Sequence, residues 1–342
     1  MKLVIDSAIP FMENRFPKDV EIVFLGGKDI GKEDVRDADG LIVRTRTLCN
    51  PELLEGSKVK AIATATIGMD HIDLNWCERN GIRVFNAPGC NAPGVAQYVF
   101  ASLFHAGFDP ERHTLGIIGF GNVGSVVGDW ARQMGINILI SDLPKQQQGY
   151  EDEDYISLEE LLKNSDAVTL HVPLTNQGLF PTYHLIGAGE IKMMKEGAIL
   201  INSSRGGVVD ENAWKKAIKE SHVKGIIDVW ENEPEIDTEL ADLASIATSH
   251  IAGYSEQGKK RATAMALEAM GQILGFPVNL SELECKPDSK RKITRELIEK
   301  SYNPIIDTKN LRDSKPEEIA LTFEMLRNSY NYRTEPLFEK QT

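Results

Sequence analysis

One short segment limits the possible folds more than any other: residues 115–124, LGIIGFGNVG, where three glycines follow an apolar run. Gly119, Gly121 and Gly124 have the spacing G-x-G-x-x-G, and the residues after them place apolar side chains at intervals of three and four. Such intervals are typical of an amphipathic helix. A strand, a glycine-rich turn and a helix in succession predict a βαβ unit that binds a dinucleotide.

Each of the three glycines in this turn has its own physical reason to be glycine. Gly119 permits a tight turn, Gly121 lets the backbone approach a pyrophosphate, and Gly124 lets the helix lie against the strand. The helix N-terminus, at Asn122 and Val123, has free backbone N–H groups for the anion. The alternative is that the glycines only shape a tight βα turn.

The nature of the dinucleotide is indicated by Asp142, which follows the next apolar run, 18 residues after Gly124. A carboxylate there can accept hydrogen bonds from ribose hydroxyls, and it would repel a 2′-phosphate. We therefore expect NAD rather than NADP as the cofactor. Lys145 lies close by in the sequence and weakens this preference, and Asp142 could instead be a solvated acid at a strand end.

Composition limits the class of protein. The chain has 342 residues, 42% of them apolar, with 38 basic and 51 acidic residues and a net charge of −13. This length suggests about two domains with room for a small third, and the charge argues against a general nucleic-acid binder. No apolar run is long enough to span a membrane, and the four cysteines form no C-x-x-C pair. We expect a cytoplasmic protein with no nucleic-acid, membrane or metal partner.

Short apolar runs alternate with helix-like stretches along most of the chain, which predicts parallel sheets covered by helices. The runs are nearly continuous in apolar residues, as in strands buried on both faces. The predicted strands are 3–5, 22–25, 41–43, 61–64, 84–85, 115–118, 138–140, 167–171, 198–202, 225–229 and 245–249.

Three later segments, 201–207, 227–234 and 248–254, carry polar residues where predicted strands end. They offer the groups that oxidation of a 2-hydroxy acid needs. His250 can take the hydroxyl proton, Glu233 can orient its ring, and Arg205 can hold the substrate carboxylate. Asp228 is a candidate contact to the nicotinamide ribose or amide. Taken singly, His250 could be a structural histidine and Arg205 part of a surface ion pair.

The order of these motifs resembles the D-isomer-specific 2-hydroxyacid dehydrogenase family over about residues 40–275. The resemblance implies that Arg205, Glu233 and His250 are the catalytic residues. It extends the expected cofactor contacts to Ser204 and Gly253.

Further strings, at 64–73, 87–92, 250–255 and 323–330, resemble the branch of this family that oxidises 4-phospho-D-erythronate on the route to pyridoxal 5′-phosphate. This resemblance implies substrate-binding roles for Thr45, Thr66 and Tyr254. Arg44 and Arg46 are our own candidates for holding the phosphate, because an acidic protein needs local positive charge there. A surface ion-pair role is the alternative for both arginines.

These observations together predict two doubly wound parallel-sheet domains with a hinge between them. We expect a flavodoxin-like substrate domain at 1–93 and 258–280, a Rossmann-type NAD domain at 94–257, and a small C-terminal α+β module at 281–342. By resemblance, this module pairs two subunits into a homodimer. The alternatives are a 3-phosphoglycerate dehydrogenase, a hydroxypyruvate reductase, or a non-catalytic NAD-sensing protein.

Overall fold

A computed structural model describes residues 1–288 and 291–338. The chain divides into two compact units, one of residues 1–91 with 256–287 and one of residues 92–255 with the described residues from 288 onward. Of the predicted C-terminal module, positions 289–290 and 339–342 lie outside the described residues.

The first unit is built on a five-stranded parallel sheet with the strand order β2-β1-β3-β4-β5. This order is the flavodoxin-like one, as the sequence predicted. Its strands are β1 (Lys2–Asp6), β2 (Glu21–Leu25), β3 (Gly40–Val43), β4 (Ala61–Thr64) and β5 (Arg83–Phe85).

The second unit contains a six-stranded sheet with the order β11-β10-β9-β8-β6-β7, and all of its pairs are parallel. The first strand of this sheet along the chain is β6. The next strand, β7, lies on one side of β6, and β8 lies on the other. The carboxyl end of β6 is therefore the switch point where such sheets bind ligands. Its strands are β6 (Thr114–Ile118), β7 (Asn137–Ser141), β8 (Ala167–Leu170), β9 (Ala198–Asn202), β10 (Val223–Ile227) and β11 (Ile246–Ala247). Every predicted strand is present.

Helices connect these strands, and α1–α3 and α11 belong to the first unit. The helices are α1 (Lys32–Val35), α2 (Pro51–Leu54), α3 (Leu74–Arg79), α4 (Ala92–His105), α5 (Asn122–Gln133), α6 (Leu143–Gln147), α7 (Leu158–Asn164), α8 (Ala188–Met193), α9 (Glu211–Lys219), α10 (Thr238–Leu243), α11 (Glu256–Leu274), α12 (Arg295–Ser301), α13 (Pro304–Arg312) and α14 (Ile319–Asn328). None of the described helices combines the length and the hydropathy that a membrane crossing requires.

Both faces of each sheet are buried, which explains the continuous apolar runs. In the second unit, Ala167 and Ile199 face one core cluster, and Val168 and Leu200 face the other. Successive residues of a strand point to opposite faces, so a strand covered on both sides needs apolar residues throughout.

The C-terminal segment corrects one expectation. Over residues 281–288 and 291–338 the structure has helices and no strand, so the predicted α+β composition is wrong and the module is helical. Thr308 Oγ1 in α13 accepts a hydrogen bond from the backbone N–H of Ala247 in β11, at 3.3 Å. Arg312 donates to the carbonyl oxygens of Ala241 and Ala244 at the end of α10. This packing against the second unit could not be seen in the strand periodicity.

Candidate active site

The glycine-rich turn joins β6 to α5 at the switch point of the second sheet. Gly119 has a φ of +85°, and a side chain there would come within 2.7 Å of the His171 carbonyl oxygen. A Cβ at Gly124 would overlap the carbonyl oxygen of Gly119. These two glycines are therefore required by the geometry of the turn itself.

Gly121 differs from its neighbours because the protein's own packing does not require it. A Cβ built on Gly121 would meet no atom within 4 Å. Gly121 is the N-cap of α5 and provides no side-chain cap, so the first N–H groups of the helix, from Asn122 and Val123 onward, have no acceptor within it. Open space beside uncapped helical N–H groups fits a bound pyrophosphate.

Asp142 follows β7 and faces this turn. Its Oδ2 accepts a hydrogen bond from the N–H of Phe120 at 2.8 Å, and its Oδ1 accepts one from the N–H of Lys145 at 3.1 Å. The Lys145 ammonium lies 3.0 Å from Asp152 and packs over the ring of Phe120. A carboxylate neutralises Lys145, so this lysine does little to weaken the predicted preference for NAD over NADP.

A cavity of about 840 Å³ opens beside the turn, entirely within the second unit. Gly119, Gly121 and Asp142 line one part of it, and Pro173, Thr175 and Leu185 are among the residues that line the rest. Its size and mainly apolar lining are those of a cofactor site. The residues predicted to hold NAD at the glycine turn thus fit a dinucleotide.

His250 and Glu233 form a hydrogen-bonded pair. Nδ1 of His250 lies 2.8 Å from Oε2 and 3.0 Å from Oε1 of Glu233. Glu233 is ionised and needs a donor, so this contact assigns the proton to Nδ1 and leaves Nε2 as the acceptor. The imidazole side chain is 32% exposed, and a substrate can therefore reach it.

The electrostatic environment suits both partners. Burial disfavours the imidazolium form of His250, but the charge and hydrogen bond of Glu233 outweigh it and raise the pKa of His250 above its usual value. Burial likewise disfavours the Glu233 carboxylate, but the facing His250 holds the pKa of Glu233 below its usual value. The acid therefore stays ionised while the base titrates.

Asp228 braces the loop that carries His250. Its buried carboxylate accepts hydrogen bonds from Thr248 Oγ1 and from the N–H groups of Ile251 and Ala252, at 2.7–2.9 Å. His250 itself has a φ of +58°, an uncommon left-handed conformation that histidine tolerates better than most residues, and its N–H donates to the Asp228 carbonyl oxygen. The Asp228 carboxylate thus faces the loop, and a contact to the nicotinamide ribose or amide stays a prediction.

Arg205 lies in the turn after β9, in the same unit as the pair. Asn202 organises this turn: its Oδ1 accepts from Ser204 and its Nδ2 donates to the Arg205 carbonyl oxygen, at 2.9 Å. A Cβ on Gly206 would overlap the carbonyl oxygen of Trp230, so only glycine lets the turn lie this close to the segment leading to Glu233. Convergence of the Arg205 guanidinium on His250 stays a prediction.

The predicted substrate-binding residues fall in different units. Thr45, with Arg44 and Arg46, follows β3, and Thr66 follows the adjacent parallel strand β4, so these residues share one edge of the first sheet. Arg44 Nη1 donates to the carbonyl oxygen of Ala8 at 2.8 Å.

The hydroxyl of Thr66 bonds to Thr64 at 2.6 Å and to the Gly68 carbonyl oxygen. Tyr254, together with Gly253, lies in the His250 loop of the second unit. Its ring contacts those of Tyr330 and Tyr332 edge-on.

The sequence did not predict one charged contact of Glu233. Arg327 in α14 places Nη1 3.8 Å from Oε2 of Glu233. Its side chain is mostly buried, with 18% exposed. Arg327 lies in the string 323–330 that carries the resemblance, but nothing in the sequence indicates that its side chain reaches Glu233, because the contact depends on how α14 packs.

Comparison with known proteins shows what this site resembles. A family model described as the NAD binding domain of D-isomer specific 2-hydroxyacid dehydrogenases matches residues 97–252. Erythronate-4-phosphate dehydrogenase of Bacteroides thetaiotaomicron is 43% identical over 98% of this chain and 97% of its own length. The enzyme of the same name from Proteus mirabilis is 38% identical over 98% of this chain and 93% of its own.

Solved structures give the same result. NAD+-bound 3-phosphoglycerate dehydrogenase of Entamoeba histolytica is 28% identical, with a TM-score of 0.65 over 82% of this chain and 98% of that one. D-lactate dehydrogenase of Aquifex aeolicus, solved with NAD and lactic acid, is 26% identical, with a TM-score of 0.65 over 80% of this chain and 96% of that one. The second unit is thus an NAD-binding domain, and the chain belongs to the erythronate-4-phosphate dehydrogenases, within the D-isomer-specific 2-hydroxyacid dehydrogenase family.

Proposed function

We propose that this protein oxidises 4-phospho-D-erythronate to (R)-3-hydroxy-2-oxo-4-phosphooxybutanoate with NAD, a step in the biosynthesis of pyridoxal 5′-phosphate. The observation that carries the chemistry is the hydrogen-bonded pair of His250 and Glu233, in the same unit as the glycine turn and its cavity. The substrate assignment comes from the relatives, which share this activity in their name over nearly their whole length.

In this proposal His250 is the general base. Nε2 takes the proton of the C2 hydroxyl as C2 loses its hydrogen with two electrons, and the hydroxyl becomes a carbonyl. NAD, when bound, accepts that hydride. Glu233 stabilises the imidazolium that forms, and Arg205 holds the substrate carboxylate in a two-pronged contact.

The remaining assignments belong to the same proposal. Gly119, Gly121, Asn122, Val123, Gly124 and Asp142 hold the adenosine and pyrophosphate part of the cofactor, and Ser204, Asp228 and Gly253 hold the nicotinamide part. Thr45, Thr66, Tyr254, Arg44 and Arg46 bind the substrate, with the two arginines directed at its phosphate. Residues 1–93 with 258–280 form the substrate domain and residues 94–257 the NAD domain.

The test is turnover by the purified protein with NAD and 4-phospho-D-erythronate. The 2-oxo acid product is measured with and without a second 2-oxo acid that can reoxidise bound cofactor. We expect kcat/KM for this substrate to exceed that for 3-phospho-D-glycerate by about tenfold or more, because the shorter acid cannot reach both ends of the site.

Two other results would contradict the proposal. Higher kcat/KM for 3-phospho-D-glycerate, or for hydroxypyruvate in the reducing direction, would assign the protein to another branch of the family. Binding of NAD without turnover of any 2-hydroxy acid in the panel would indicate an NAD sensor.

We also propose that the enzyme is a cytoplasmic homodimer joined through its C-terminal helices. The sequence has four cysteines and no C-x-x-C pair, and three of the four are buried, in keeping with a reducing compartment. Leu321 and Met325, one turn apart on α14, are 76% and 58% exposed, and Ile306 on α13 is 60% exposed. Exposed apolar side chains grouped on two helices favour a protein contact.

The oligomeric state is measured by light scattering after size-exclusion chromatography. We expect the mass of a dimer for the wild type and of a monomer for the double variant Leu321→Glu with Met325→Glu. Leu74→Glu, in α3 of the first unit, is the matched control and is expected to stay dimeric. A monomeric wild type, or a double variant that remains a dimer, would contradict this interface.

A further inference from the structure

The C-terminal segment, defined here as residues 319–335, reaches the acid–base pair. Arg327, on its helix α14, has Nη1 3.8 Å from Glu233 Oε2, the same oxygen that lies 2.8 Å from Nδ1 of His250. The guanidinium also packs over the buried ring of Phe323, and its Nε is buried without a hydrogen-bond partner among the described residues.

The same segment also contacts Tyr254, which lies four residues after His250 in the same loop. Burial disfavours the charge of Arg327, but the neighbouring side chains of Tyr254 and Glu233 raise the pKa of Arg327 above its usual value. The rings of Tyr330 and Tyr332 pack edge-on against Tyr254, with ring centroids 5.9 Å and 6.2 Å away. A proposed substrate contact is therefore positioned by three side chains of the C-terminal segment.

A buried arginine fastens this segment to the loop from a second direction. Arg333 donates hydrogen bonds to the carbonyl oxygens of Ile251 and Ala252, the two residues after His250. Its Nε donates to Oε1 of Gln97 in α4 at 2.9 Å. The loop of His250 is thus bound by Asp228 and by Arg333, so the segment that carries Arg327 is fastened to the loop that carries the base.

We propose that Arg327 is a positioning residue for the acid–base pair, which holds the Glu233 carboxylate against Nδ1 of His250 and keeps a positive charge beside the imidazole. The proposal rests on the function proposed above only in taking His250 as the base. It makes the C-terminal segment part of the catalytic centre of its own subunit, in addition to any part in dimerisation.

The charge of Arg327 acts against that of Glu233. The charges with the largest effect on His250 in the described part of the chain are those of Glu233 and Asp228, which favour its imidazolium form, and that of Arg327, which disfavours it. Arg327 thereby limits the rise in the pKa of His250 that Glu233 alone would cause. A base must be unprotonated to accept the substrate proton, so a smaller rise keeps more of the enzyme active near neutral pH.

The first experiment measures kcat and KM against pH for the wild type, Arg327→Met and Arg327→Lys. We expect Arg327→Met to move the acid limb of kcat/KM upward by about 0.5–1 pH unit, and to lower kcat on the order of tenfold with little change in the KM for NAD. Arg327→Lys, which keeps the charge, is expected to restore most of the acid limb.

The matched control is Arg312→Ala, another tail arginine, whose hydrogen bonds go to the end of α10 rather than to the pair. It is expected to lower the melting temperature and to leave the pH profile unchanged. If it shifts the profile as Arg327→Met does, the effect is one of general stability and the proposal is wrong.

A second experiment does not depend on the substrate. The imidazole of His250 is titrated by NMR in protein labelled at histidine, with its signal assigned from the spectrum of His250→Gln. A higher pKa of His250 in Arg327→Met than in the wild type supports the proposal even if no 2-hydroxy acid is turned over. Equal pKa values in the two proteins would overturn it, whatever the substrate is.

Discussion

At the scale of single residues, most of the candidate site consists of polar residues that lie in short loops after strands. Asp142 shows why identity alone does not reveal a residue's surroundings. Its carboxylate accepts from two backbone N–H groups, one of them in the glycine turn, and this orients it toward the cofactor cavity. A carboxylate has about four acceptor sites, so both hydroxyls of a ribose can still bind.

Asp142→Asn removes the charge and keeps the shape. We expect the ratio of the Kd for NADP to that for NAD to fall by about tenfold, because the repulsion of a 2′-phosphate is lost. Isothermal titration calorimetry with both cofactors measures this ratio. Asp129→Asn, an exposed acid on α5, is the control and should leave the ratio unchanged. Equal affinity of the wild type for the two cofactors would refute the role of Asp142.

Arg46→Ala tests the phosphate contact. We expect the KM for 4-phospho-D-erythronate to rise on the order of tenfold, because the variant loses the guanidinium that binds the phosphate. The KM for unphosphorylated D-erythronate, which has a carboxylate but no phosphate, should change much less. Steady-state kinetics on both acids gives the comparison. Arg36→Ala, an exposed arginine of the first unit paired with Glu33, is the control. An equal rise for both acids would show that Arg46 does not contact the phosphate.

His250→Ala tests the base. Turnover should fall by about 10²–10⁴-fold, the usual contribution of a general base. In the wild type, the rate of oxidation should decline as the pH falls below the raised pKa of His250, since the protonated ring cannot accept the substrate proton. Near-full activity of the variant in stopped-flow or steady-state assays would place the base elsewhere.

At the scale of elements, the strongest constraint is the turn between β6 and α5. Residues 115–118 were predicted as a strand and lie in β6, which the structure extends by one residue to Thr114. The close approach of Gly124 to Gly119 explains why the helix must start where it does. Local spacing was therefore enough to predict this element.

Gly124→Ala should destabilise the turn by about 2 kcal/mol or more and abolish NAD binding, because the new methyl group overlaps a backbone oxygen. Gly189→Ala is the matched control: it lies within α8, where a Cβ meets nothing within 4 Å. That variant should gain about 0.5–1 kcal/mol. Urea unfolding with and without NAD distinguishes the two, and unchanged NAD affinity in Gly124→Ala would contradict the account of the turn.

At the scale of the whole molecule, the two sheets are each covered on both faces, and the second carries additional polar groups in its interior. Glu211, at the start of α9, is nearly buried and accepts a hydrogen bond from the N–H of Glu231 at 2.8 Å. Burial raises the pKa of Glu211 to about 7. Its proton is therefore held by the folded state and lost by the unfolded state between the two pKa values.

The sign of the resulting pH dependence follows from linkage. A group whose pKa is raised on folding contributes stability below its unfolded pKa, near 4.5, and loses that contribution as the pH rises through about 7. Glu211→Gln, which stays neutral, should therefore gain stability over the wild type between pH 5 and pH 8, by on the order of 1–3 kcal/mol.

Urea unfolding followed by tryptophan fluorescence, to which buried Trp214 in the same helix contributes, measures this difference. Glu220→Gln, an exposed acid that follows α9, should show no such trend. A constant difference between Glu211→Gln and the wild type from pH 5 to pH 8 would mean that Glu211 is ionised in the folded protein.

The sequence by itself determined the strands, the glycine turn and the identity of the polar residues that follow β9, β10 and β11. These depend on neighbours close in the chain, where periodicity and backbone preference act directly. Parallel strands also end at one edge of a sheet, which is why Glu233 and His250 could be expected to meet.

Only the tertiary structure decided that Asp228 faces the loop of His250, that the tail is helical, and that Arg327 reaches Glu233. Contacts between residues far apart in the chain depend on how whole helices pack, and a charged side chain is compatible with many surroundings. The position of Arg327 is set by the buried ring of Phe323, over which its guanidinium packs, and by Arg333, whose hydrogen bonds fasten the tail to the loop of His250.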